Sequence, residues 1–82
     1  MKKDTNQMEY LFIEWAYPTS AHAKKLGKYN DGCYCVESWK EGKLLTLLIK
    51  KPFNTAQDAI LAAKETGLPF HPITLKFYAS LI

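Results

Sequence analysis

Apolar residues alternate with polar or aromatic ones at the start of the chain. Leu11, Ile13 and Trp15 interleave with Tyr10, Phe12 and Glu14, the period-2 pattern of a half-buried strand over residues 8–17 that Pro18 stops. A polar, basic stretch follows. Thr19-Ser20 is placed to cap a short helical turn through Ala21, His22 and Ala23, with Gly27 ending it and Tyr29-Asn30-Asp31-Gly32 turning the chain. Cys33 to Trp39 then reads as a second strand, and Lys43 to Lys51 as a third that returns through Leu44, Leu45, Leu47, Leu48 and Ile49.

A Lys40-Glu41-Gly42 turn between these strands puts only Gly42 in the left-handed region and pairs Trp39 with Lys43. That register sets Cys33, Cys35, Leu45, Leu47 and Ile49 on one face and Tyr34, Val36, Leu44, Thr46 and Leu48 on the other. Past Pro52, Thr55 with Asp58 approximates a capping box, and Ala56, Ala59, Ile60 and Ala63 form one helical stripe ending near Gly67. Beyond the Leu68–Pro72 linker, Ile73, Leu75, Phe77, Ala79 and Leu81 alternate with Thr74, Lys76, Tyr78 and Ser80, which predicts a last strand over 73–82. The expected fold is α+β, in the order β-β-β-α-β. It is a two-layer domain with one helix on one face of a mostly antiparallel sheet of about four strands.

Eighty-two residues make one domain, 1–82, with residues 1–7 expected as a flexible tail. No apolar run is long enough to span a bilayer, and the charged N-terminus leads into no signal-peptide core, so a cytoplasmic protein without a membrane partner is expected. Net charge is +3, and all eleven basic residues are lysines. The lack of arginine removes the usual bidentate reader of guanine edges, which argues against sequence-specific DNA recognition while leaving electrostatic contact with phosphates open.

Chemical motifs are sparse. Cys33 and Cys35 lie two apart on one strand face, where they do not reach disulfide geometry with each other, and C-x-C on a strand is not the knuckle of common zinc sites. The cysteines are expected as buried reduced thiols, with no metal and no cofactor. No Ser, Cys or carboxylate stands at a recognisable catalytic spacing from His22 or His71, and the carboxylates Glu9, Glu14, Glu37, Glu41, Asp58 and Glu65 are scattered. An enzyme is therefore not expected.

The aromatics are more informative. One helix covers one face of the sheet, yet Tyr10, Phe12, Tyr34 and Tyr78 recur on what should be the open side, with Lys76 among them and Lys24, Lys25 and Lys28 in the basic stretch nearby. Those eight residues are the candidate partner-binding set. The occupant is another protein, a second copy of this chain, or single-stranded nucleic acid stacked on the aromatics. Alternatively, the segment from Pro18 to Asp31 folds over that face and makes it a second small core.

Gly32 to Lys64, with its helix start Phe53-Asn54-Thr55-Ala56-Gln57-Asp58-Ala59, resembles in outline the DNA-binding domain of plant ethylene-response factors and the N-terminal domains of phage-type integrases. It lacks their basic, Arg- and Trp-rich strands. The whole order, with Asp31-Gly32-Cys33-Tyr34 and Thr55-Ala56-Gln57-Asp58-Ala59, is similar to HicB-type antitoxin domains and to small anti-CRISPR and other phage-encoded inhibitors. These resemblances imply a small, non-catalytic protein of mobile-element type that works by binding. The function they imply is docking on and inhibiting a nucleic-acid-handling protein complex, with direct nucleic-acid binding as the alternative.

Overall fold

Two long strands pair antiparallel along their full length and carry everything else. In a computed structural model describing residues 8–40 and 45–82, β1 (Glu9–Ala16) pairs with β2 (Cys33–Lys40) from Glu9↔Lys40 to Ala16↔Cys33. Between them the chain makes α1 (Ala21–Lys25), capped by the Ser20 hydroxyl, which accepts from the Ala23 N–H. At the return into β2, Gly32 sits at φ +75°, and a Cβ there would lie 2.8 Å from Trp15 Cζ2 and 2.9 Å from the Ala16 carbonyl oxygen. Only glycine fits that close approach.

The third strand is much shorter than the alternation predicts. β3 (Thr46–Leu47) pairs Leu47 with Glu37 and Thr46 with Ser38. Against the expected pairing of Trp39 with Lys43, the register is displaced by two residues. An even displacement preserves the faces, so Leu47 still shares a side with Cys33 and Cys35. The turn residues Glu41 and Gly42, with Lys43 and Leu44, lie outside the described residues, as does the expected tail over 1–7. After β3 the Val36 carbonyl accepts from both Leu48 and Ile49 N–H groups, and the alternation is lost. Both side chains turn to the core on the helix side, contrary to the expected placing of Ile49 with the cysteines. The chain returns to β2 at Phe53, which exchanges two backbone hydrogen bonds with Tyr34.

α2 (Ala56–Lys64) forms as its capping signals require, with the Thr55 hydroxyl accepting from the Asp58 N–H. Its Ala59, Ile60 and Ala63 are fully buried against Leu11, Ile13, Val36 and Phe53. The predicted last strand is instead a helix, α3 (Pro72–Phe77). Pro72 at its first turn has no N–H to leave unsatisfied, and the His71 Nδ1 accepts from the Ile73 N–H. Just before it, one residue of extended chain does join the sheet. The Leu11 N–H donates to the Pro69 carbonyl and the His71 N–H to the Leu11 carbonyl, a single parallel bridge on the outer edge of β1. The order among the described residues is therefore β-α-β-β-α-α: an α+β fold with a three-stranded antiparallel sheet and three short helices.

Candidate functional site

Strand parity divides the sheet into two faces. Leu11, Ile13, Trp15, Tyr34 and Val36 look toward α2, while Tyr10, Phe12, Glu14 and Ala16 of β1 and Cys33, Cys35, Glu37 and Trp39 of β2 look the other way. Among the described residues this second face is covered at one end only. There Ala23 and Leu26 pack on Ala16, Cys33, Cys35 and Leu47 to form a second small core. The anticipated folding-over of the Pro18–Asp31 segment thus occurs, but over half the face.

The other half is aromatic. Tyr10 and Trp39, directly opposed in the ladder, have ring centroids 6.1 Å apart. The His71 ring, delivered by the bridge to Leu11, stacks on Phe12 at 4.5 Å and meets Trp39 and Tyr10 edge-on at 5.2 and 5.6 Å. All four rings are partly exposed. Two of the expected aromatics are not here. Tyr34 packs on the α2 side, edge-on to Trp15 at 5.1 Å, and Tyr78 follows α3 and packs on that same main core. Parity puts Tyr34 on the helix side, and the helix that replaces the last strand carries Tyr78 away from the open face. Trp39 and His71 complete the strip instead. Trp39 joins the strip through its pairing with Tyr10, and only the tertiary bridge at Leu11 brings His71 near.

The lysines are dispersed. Lys24 lies 5.8 Å over the Tyr29 ring, Lys25 and Lys50 border a groove beside Leu26 and Leu47, Lys28 is part of the turn after α1, and Lys76 is in the last turn of α3. Neither β1 nor β2 turns a lysine toward the aromatic strip, because Lys40 falls on the alternate side.

Where the aromatic half meets the covered half, ionisable groups converge. His22 of α1 reaches across to β2, with Nδ1 2.6 Å from Glu37 Oε2. Glu37 is 2% exposed, and among the described residues its Oε1 has no hydrogen-bond partner. The Cys35 thiol lies on the same side of the strand, and one ligating atom each from His22, Cys35 and Glu37 fall within 4.8 Å of one another. Burial, then the neighbouring Glu14 carboxylate, pushes the Glu37 carboxyl up to about 8. Burial first, and then Glu37, raises the Cys35 thiol strongly, and burial likewise raises Cys33. A cleft of about 470 Å³ opens beside this cluster, lined by Glu14, Trp15, Tyr17, Ser20, His22 and Glu37 among others. The spacing of these residues along the chain, 15 between His22 and Glu37, carries no signal of the pairing.

Both cysteines are free and buried. Among the described residues no helix is long and apolar enough to cross a membrane. Compared with family models, curated proteins and solved structures, the chain matches none.

Proposed function

We propose that this chain is a non-enzymatic binding protein whose partner is another protein, and that Tyr10, Phe12, Trp39 and His71 form the centre of its docking surface. The observation that carries this reading is the partly exposed four-ring strip on the half of the sheet that α1 leaves uncovered. Rigid aromatic side chains on a strand ladder lose little entropy on binding and are enriched at interface cores. The charges beside the strip set the partner's chemistry. Glu14 is exposed on this face and no lysine of β1 or β2 shares it, so a nucleic-acid backbone would meet a carboxylate there. An apolar surface rimmed with basic side chains fits better, which is the kind of surface a nucleic-acid-handling protein presents and which this chain would block.

Catalysis finds less support. The Ser20 hydroxyl lining the cleft is engaged as the α1 cap, and the Cys35 thiol is buried beside it and kept protonated, so neither is an activated nucleophile.

The test compares wild type with a Phe12→Ser/Trp39→Ser double variant and a Lys24→Glu/Lys25→Glu double variant, by affinity capture from the native host and by titration with a single-stranded oligonucleotide. The first variant should melt near wild type and lose the captured protein, and the second should keep it. Oligonucleotide binding that falls steeply with salt and is lost in the lysine variant would overturn the proposal in favour of direct nucleic-acid binding.

A further inference from the structure

We infer that His22 Nδ1, Cys35 Sγ and a Glu37 carboxylate oxygen form a three-ligand site for a borderline-soft divalent cation of the Zn²⁺ type, which clasps α1 onto the sheet. This goes beyond the docking surface and does not depend on it. The donor set is the mixture of imidazole, thiolate and carboxylate that such a cation takes, and hard cations such as Mg²⁺ do not.

Geometry supports the assignment in three ways. The donor atoms already lie within 4.8 Å of one another. Around tetrahedral zinc, N···O separations are about 3.3 Å and S···N or S···O separations about 3.5 Å, from the usual bond lengths. The His22–Glu37 contact of 2.6 Å would therefore open slightly while the thiol closes in. His22 can make that adjustment, since its side chain is 24% exposed on a five-residue helix whereas Cys35 and Glu37 are fixed in the β2 ladder.

The second support is the orphaned oxygen. Glu37 Oε1 is buried with no partner among the described residues, in a side chain 3% exposed, which is a costly arrangement without a cation to satisfy it. The third is the opening. The cleft beside the cluster leaves a side from which a metal can arrive and a fourth ligand can bind, with Glu14 among its lining residues. On binding, the cation displaces the Cys35 thiol proton and the proton held between His22 and Glu37, and both leave to solvent.

The C-x-C spacing is not what builds the site. Cys33, two residues from Cys35 and equally buried, belongs to the packing around Ala16 and Ala23 and is not in the donor cluster. That separation supplies the control. Titrating the reduced, metal-free full chain with Co²⁺ should give one equivalent bound, with a thiolate-to-cobalt charge-transfer band, and Zn²⁺ should displace it. Zn²⁺ should raise the melting temperature, and Mg²⁺ should leave it unchanged. His22→Ala and Glu37→Gln should weaken binding by roughly a hundredfold or more. Cys35→Ser should remove the charge-transfer band, and Cys33→Ser should keep it. Absence of stoichiometric binding to wild type overturns the inference whatever the variants do. So does binding that survives Cys35→Ser or depends on Cys33. In either case the His22–Glu37 contact is a structural hydrogen bond alone.

Discussion

Glu37 is the residue on which most of the molecule's unusual chemistry turns. It sits in the middle of β2 with Phe12 opposite it on one side and Leu47 on the other, so its carboxyl has little water. The groups facing it are His22 from α1, Glu14 from β1 and Cys35 from its own strand. Burial and Glu14 both favour the protonated form, which raises the carboxyl from its ordinary 4.5 to about 8. Between those values the native state retains a proton that the unfolded chain has released. The contribution is therefore fully stabilising below 4.5, declines as pH rises toward 8, and is lost above it. In chelator, wild type should lose denaturation midpoint steadily across that window, and Glu37→Gln should flatten the loss. An unchanged slope in the variant would place the titration elsewhere.

At the scale of elements, the segment from Leu68 to Ile82 shows how a cap outweighs an alternating pattern. Ile73, Leu75 and Phe77 read as one strand face, yet in α3 they are exposed and the buried residue is Thr74. Alternation is the weaker signal when Pro72 removes a ladder donor and a side chain stands ready to cap the first turn. His71 does two jobs there. Its Nδ1 caps α3 and its ring stacks on Phe12. The two are separable. His71→Asn retains a capping acceptor and should cost only the stacking, whereas His71→Ala should cost about 1 kcal/mol more for the cap. Urea denaturation of the two variants measures the difference, and equal stabilities would remove the capping role. α2 is the opposite case, since Thr55, the alanine stripe and Lys64 all point to the helix that forms.

The whole molecule is one sheet with a core on each side. α2 and the C-terminal segment from Leu68 to Ile82 pack on one, α1 on the other, and β1 and β2 contribute to both. Because each strand alternates between the cores, loss of either should open both. Ala59→Arg buries a charge under α2 with no partner for it, which is strongly destabilising. Although Ala59 lies on the face opposite the cysteines, the variant should expose Cys33 and Cys35 to a maleimide that reaches them slowly in wild type. Thiols still protected in a variant whose far-ultraviolet signal shows α2 melted would mean that the two cores open independently.

The separation between what was legible in the chain and what was not follows the range of the physics. Local signals were sufficient for β1, for the Ser20-capped α1, for β2 and for α2, because alternation, capping hydroxyls and breakers act within a few residues. Alternation within β1 and within β2 followed too, since parity survived the two-residue displacement of β3, but which face of β2 joins the open side of β1 did not, and Tyr34 lies on the helix side. The short β3 and the helical 72–77 depended on competition between local preferences and the rest of the fold, and there the alternation misled. The functional surfaces were out of reach of local reasoning. His71 meets Tyr10, Phe12 and Trp39 only because a single bridge lays residue 70 beside Leu11, and His22 meets Glu37 and Cys35 only because α1 folds back over the sheet. Sequence alone determined which segments are apolar on which side; tertiary structure decided which distant side chains share a site, because those contacts join residues that have no local interaction with one another.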